Sequence, residues 1–276
     1  MKIGSLCTGY GGLDMAVEAF FGAETIWTCE FDKYASQVIE KRINKPNHGD
    51  LKTTDWTKVE PIDILTAGYP CQPFSYAGSR KGAEDERHLW PYIKEIIRIL
   101  RPQFVVLENV RGHFGLGFGK VIGDLATIGY DATWRLVRAS DVGAPHRRER
   151  LFILAYANVE RLQRSSRTGF GFEQSSSQHS DTHSGQLQQR SKQYQGQPQF
   201  IASELVKTIH KREVPAPLDQ GKLNTKFVEY MMGLPEGWVT DVGLSRSQQL
   251  KILGNGVVPQ QAEYALELLW ETYVNE

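Results

Sequence analysis

A chain of 276 residues with 40% hydrophobic and 23% charged side chains has the composition of a globular protein, long enough for one large core or a core carrying a smaller insertion. Its 32 basic and 32 acidic residues cancel, so total charge neither advertises nor excludes a polyanionic partner, and any such face must come from local Lys and Arg clusters. Three cysteines (Cys7, Cys29 and Cys71) form no close pair, arguing against a disulfide framework or a cysteine metal site, and no run reaches the length of a membrane span; a reducing, cytoplasmic setting with no membrane contact is expected.

Residues 2–6 read as a short strand, followed by Cys7-Thr-Gly-Tyr-Gly-Gly-Leu-Asp14 and a helix with Met15, Ala16, Ala19 and Phe20 at helical spacing. Gly9, Gly11 and Gly12 permit a tight loop and close approach of a ligand, and the helix end offers amides to a carboxylate or phosphate. The spacing is Gly-x-Gly-Gly rather than the dinucleotide fingerprint, so a nicotinamide cofactor is disfavoured. A second strand at 25–29 ends in Glu30-Phe31-Asp32. Glu30 stands where wound sheets hold ribose hydroxyls, although capping the next helix is an equal reading; Phe31 suits a base stack or the core. Asp50, in the turn before Leu51, suits a local cap or an adenine amino group.

The apolar run 62–67 is a third strand, and it delivers Ala67-Gly-Tyr-Pro-Cys-Gln-Pro-Phe-Ser75. Pro70 and Pro73 keep Cys71 out of a continuing strand or helix, which is how a nucleophile is presented and equally how a bland turn cysteine looks. Residues 78–89 are polar and contain glycine, as a lid would be. Pro91 opens a helix with Ile93, Ile96, Ile97 and Leu100 on one face. Strand 103–107 is apolar on both faces and ends in Glu108-Asn-Val110, where partial burial would raise the acid's pKa; a carboxylate bound to loop amides is the plainer alternative. A helix at 121–128 and a strand at 132–139 follow, and Pro145-His-Arg-Arg-Glu-Arg150 leads into strand 151–155. That arginine run reads as a solvated cluster or as forks for phosphate or a base edge.

From Ala157 the texture changes to Gln, Ser and Gly with Arg161, Arg164, Arg167, Arg190 and Lys192, a stretch that cannot build much core and suits either a flexible insert or a phosphate-tracking surface. Order returns with a short helix ended by Gly233 and Pro235, a glycine turn at 253–259, and a last helix bearing Ala262, Ala265, Leu266 and Leu269.

The order of these features is more telling than any one: Gly-x-Gly-Gly, strand-end Glu30, Pro70-Cys71-Gln72, Glu108-Asn109-Val110, Arg148-x-Arg150, a variable insert, then Gly254-Asn255-Gly256-Val-Val258. The sequence resembles the cytosine-5 DNA methyltransferase family over nearly all of the chain outside residues 157–222. The resemblance implies a doubly wound, Rossmann-like α/β methyltransferase sheet over 1–156, a small target-recognition insert at 157–222, and a segment at 223–276 returning to the catalytic domain. It implies Cys71 as the thiolate that adds to cytosine C6, Glu108 at N3, Arg150 at O2 and Arg148 in support. It implies S-adenosylmethionine held by Gly9, Gly11, Gly12, Glu30, Phe31, Asp50, Leu51, Pro70, Leu89 and Asn255. Gln72, Ser75 and Asn109 are expected at the substrate, with the cytosine flipped from double-stranded DNA and the 72–88 loop closing over it.

Cys7 departs from the family, which usually has phenylalanine there, and the insert is short. Two further readings stay open: transfer to cytosine in transfer RNA, and a non-catalytic DNA-binding relative. A monomer is expected. A restriction endonuclease acting separately, a phage role and solitary action are not distinguished.

Overall fold

The structure, a computed structural model, describes residues 1–70, 89–158 and 213–275. Among the described residues six strands form the central sheet: β1 (Lys2–Leu6), β2 (Glu24–Cys29), β3 (Ile64–Gly68), β4 (Phe104–Val110), β5 (Tyr130–Val137) and β6 (Arg150–Ala157), in the order β2-β1-β3-β4-β6-β5. The first four are mutually parallel, whereas β6 runs antiparallel to both β4 and β5.

Alternation along the strands builds two cores. Ile3, Ile64, Phe104, Val106, Phe152 and Leu154 face one side, against α1 (Gly12–Phe21) and the C-terminal helix, while Leu6, Leu65, Val105, Leu107, Leu151 and Ile153 face α3 (Trp90–Leu100) and α5 (Phe118–Thr127) on the other. Between β2 and β3 lies α2 (Lys33–Arg42), capped by the Asp32 carboxylate, which accepts from the Tyr34 and Ala35 amides. A single turn, α4 (Gly112–Gly115), follows β4.

Residues 213–275 supply a hairpin (β7, Leu218–Asp219; β8, Lys222–Leu223), then α6 (Thr225–Met231), α7 (Arg246–Asn255) and α8 (Pro259–Asn275). Helix α8 packs along α1 and across β5 and β6, with Leu266, Leu269 and Trp270 buried. A third cluster, with Tyr10, Val38, Leu234, Val239, Ile252 and Leu253, joins this segment to the glycine loop and α2. Buried Glu229 organises its centre, accepting from the Gly237, Val239 and Thr240 amides at 2.8, 2.6 and 3.0 Å and from the Thr240 hydroxyl at 3.0 Å. An acid that satisfied acts as a structural anchor rather than a reactive group.

Several boundaries differ from those read off the sequence. Strand β4 continues through Glu108 and Asn109 to Val110, because β6 offers it pairing partners as far as Arg150. Residues 246–255 are a helix, which narrows the glycine turn expected at 253–259 to residues 256–258: a Ser245/Gln248 capping box starts the helix, and buried Gln249 gives its inner face a polar residue that apolar periodicity overlooks. The fifth helix begins at Phe118 rather than residue 121. Cys71, Gln72, Ser75, the 72–88 loop and the basic residues Arg161, Arg164, Arg167, Arg190 and Lys192 lie outside the described residues.

Candidate active site

The carboxyl ends of β1 to β4 converge, as expected of a wound sheet whose ligand crevice lies outside those ends. The loop after β1 turns through Gly9 and Gly11, both at positive φ (60° and 84°), and Gly12 packs so closely that a Cβ would overlap the Val257 carbonyl oxygen. Across it, Glu30 accepts from the Gly9 amide and the Asp32 amide, each at 2.8 Å. Burial raises its pKa, opposed by these amides. Glu30 therefore ties the loop to the end of β2 and keeps further acceptor lone pairs. Phe31 beside it is 80% exposed, which excludes a core role and leaves an aromatic face open at the crevice.

The other expected cofactor residues are placed unevenly. Asp50 is engaged locally, accepting from the Lys52 amide at 2.9 Å. Leu51 is buried in the core, its carbonyl taking the Trp56 indole N–H at 3.0 Å. Pro70 is exposed at the end of the β3 segment, Leu89 is half-buried before α3, and Asn255 is exposed at the end of α7. Cys7, the residue departing from the family pattern, stands at φ 52° with its amide bound to the Cys29 carbonyl at 2.8 Å.

Glu108 and Arg150 come together at 3.0 Å, on paired strands, with the carboxylate buried and the guanidinium nearly so. Burial raises the Glu108 pKa; Arg150 and Arg148 oppose the rise. Arg148 points elsewhere: its Nη2 donates to the carbonyls of Gly254 and Gly256 at 2.9 and 2.6 Å, and burial lowers its pKa. It thus contacts the last turn of α7 and the residue that follows the helix, next to Val257, whose carbonyl accepts from the Tyr10 hydroxyl at 2.7 Å. Asn109 is buried, and its amide donates to the Tyr69 carbonyl at 3.1 Å. It thus grips the backbone two residues before Cys71 instead of facing open space. From the other side, the Tyr69 hydroxyl and His113 Nε2 lie 3.1 Å apart in a buried contact.

Sequence reasoning did not single out Asp14, although its place in the first turn of α1 was a usable signal. Its carboxylate accepts from the Ser5 hydroxyl at 2.9 Å and from the Thr66 hydroxyl, joining β1, β3 and α1 directly beneath the glycine loop. Burial pushes its pKa from 3.8 up to about 6, against the two hydroxyl bonds. A raised carboxyl contributes stability that is complete below its unfolded pKa and is lost as pH rises through about 6. Asp14→Asn cannot ionise, so its stability relative to the parent should improve by about 3 kcal/mol between pH 4 and 7. Urea unfolding at several pH values reads this out, and a pH-independent difference between the two proteins would refute it.

The parallel strands with helices on both faces, the glycine loop and the strand-end acids together define the Rossmann-like methyltransferase fold. The comparisons narrow this to one family. Residues 1–214 match the family described as C-5 cytosine-specific DNA methylase, and the chain belongs to it. It is 35% identical over 158 residues to the type II methyltransferase M.NgoBI of Neisseria gonorrhoeae, covering 55% of this chain and 50% of that one. With M.HhaI of Haemophilus parahaemolyticus it shares 33% over 163 residues, 57% of this chain and 50% of the other. The matched part thus spans about half the length of these curated relatives. The Entamoeba histolytica methyltransferase EhMeth superposes with a TM-score of 0.65 over 99% of this chain and 98% of its own, at 17% identity, a likeness of fold.

Proposed function

We propose that this chain methylates C5 of a flipped-out cytosine in DNA, using S-adenosylmethionine and a covalent adduct between Cys71 and cytosine C6. The observation that carries the reading is the buried Glu108–Arg150 pair at the crevice edge, beside the glycine loop and Glu30. Ring carbon C5 of cytosine is a weak nucleophile. Addition of the Cys71 thiolate to C6 pushes electrons through the ring to C5, and a proton held by Glu108 at N3 draws off the charge that would otherwise build there. The raised pKa of Glu108 favours that proton, while Arg150 fixes the carboxyl and presents N–H donors to O2. After methylation a base, for which water suffices, takes the C5 proton, and the electron pair it leaves re-forms the C5–C6 double bond as the Cys71 thiolate departs.

The residues present fit the cofactor. A loop that admits no Cβ at Gly12, an acid at the end of β2 and the open Phe31 ring suit an amino-acid carboxylate, a ribose diol and a purine face respectively. When bound there the cofactor would supply an electrophilic methyl group. Asn109, through the Tyr69 carbonyl, would hold the backbone that leads to the nucleophile. Residues 157–222 are assigned to target recognition, 1–156 to catalysis and 223–276 to the returning segment of the catalytic domain. A monomer in the cytoplasm of a bacterial or phage-infected cell, with a cognate restriction endonuclease, where there is one, acting as a separate protein, fits this reading.

Labelled methyl donor offered with matched DNA and transfer RNA separates the substrates, and bisulfite sequencing of DNA from expressing cells gives the target motif. Label confined to RNA, or no new methylcytosine in DNA, would overturn the proposal.

A further inference from the structure

The short connection between β5 and β6 forms a basic cleft of about 440 Å³ lined by Arg138, Ser140, Ala144, Pro145, His146 and Arg147. Its location follows from strand register. Val137 of β5 and Val110 of β4 both pair with Arg150 of β6, so the connection leaves the sheet one residue beyond the arginine that holds Glu108. The loop is closed on itself by the Ala139 amide donating to the Arg147 carbonyl at 3.0 Å, and it is fastened to α6 by His146 Nε2 at 2.8 Å from the Met231 carbonyl oxygen.

Two acids lie in this connection. Glu149 bridges Arg111 at 2.8 Å and Arg138 at 3.2 Å, and Asp141 accepts from the Arg138 backbone amide at 2.8 Å; set against Arg111, Arg138 and Arg147, the two carboxylates leave the group a net positive charge. Arg147 is exposed, and among the described residues its guanidinium has no hydrogen-bond or ion-pair partner. An arginine presented on a braced loop, with its neighbouring acid neutralised, is arranged for an external anion. A flipped nucleotide stays joined to its own phosphates through one sugar, so an anion must lie within about one nucleotide's length of the Glu108–Arg150 pair.

We propose that Arg147 and the adjoining cleft bind a backbone phosphodiester flanking the target nucleotide. The inference rests on the DNA-methylating reading and adds a contact site to it. The contact carries no sequence information; it sets the register of the strand over the active site.

The test is the salt dependence of binding to a duplex oligonucleotide, measured by fluorescence anisotropy between 50 and 200 mM salt. Arg147→Ala should reduce the slope of log K against log salt by about 0.9, one phosphate contact, so its affinity falls about threefold less across that range than the parent's. Arg147→Lys should retain the parent slope. A duplex with neutral methylphosphonate linkages on either side of the cytosine should weaken the parent protein but produce no further slope change in Arg147→Ala. An unchanged slope in Arg147→Ala, or a methylphosphonate effect of equal size in parent and variant, would overturn the proposal. Failure of the parent protein to bind any duplex would instead defeat the functional reading on which it rests.

Discussion

Cys71→Ser is expected to lower methyl transfer by at least about a thousandfold while leaving cofactor binding within a factor of about two. A serine hydroxyl is far less acidic than a thiol and cannot supply the charged nucleophile that breaks the aromaticity of cytosine at neutral pH. The other two cysteines offer no substitute. Burial raises the Cys7 thiol pKa well above its ordinary value, with Glu30 adding to the effect, and pushes Cys29 up to about 12. Cys29 is further engaged with the Gly49 carbonyl at 3.2 Å. A duplex carrying 5-fluorocytosine, from which the final proton loss is blocked, should therefore trap the parent protein covalently and leave Cys71→Ser free. Peptide mass mapping identifies the attached residue: an adduct on Cys7 or Cys29, or turnover by the serine variant, would remove Cys71 from the mechanism.

Glu108→Gln should reduce kcat by about a hundredfold or more with little change in cofactor affinity. The amide can donate to N3 of the ring but cannot shuttle a proton, so the loss should fall on the chemical step. The parent rate should also decline as pH rises through the Glu108 pKa, which burial has moved upward, because the protonated form is the active one; in Glu108→Gln that alkaline limb should vanish. Removing the carboxylate also leaves Arg150 with a neutral partner in a largely buried place, with a stability loss of roughly 2 kcal/mol after allowance for its partial exposure. Single-turnover rates, pH profiles and urea unfolding on one preparation separate these effects. Equal pH profiles for the two proteins would show that Glu108 does not titrate in the rate-limiting step.

The pieces of the site legible in the sequence are those whose chemistry is local. Gly9 and Gly11 declare a turn because L side chains resist positive φ, and Glu30 ends an apolar run, so both features could be placed at the crevice without knowing their neighbours, whereas the close approach that demands Gly12 involves distant Val257. Asp50 and Leu51 were harder, since the same turn residue serves a local cap or a ligand and the same leucine serves core or cavity; the local bonds to Lys52 and Trp56 are visible only once the turn is folded. Arg148 and Asn109 belong to motifs visible in the sequence, yet their contacts, with the Gly254 and Gly256 carbonyls and with the Tyr69 carbonyl, join residues far apart in the chain.

The sequence by itself determined the strand–helix alternation, the two-sided apolar core of β4 and the ordered motifs that define the family, because periodicity and backbone restriction act within a few residues. Tertiary structure decided what those motifs touch. The antiparallel insertion of β6 between β4 and β5 brings its first residue to the edge where β4 ends, and so sets Arg150 against Glu108 and the 138–149 connection beside them. No local pattern encodes that reversal: a short connection permits antiparallel neighbours, but the choice of neighbour depends on which apolar faces are left to bury once the whole sheet has formed.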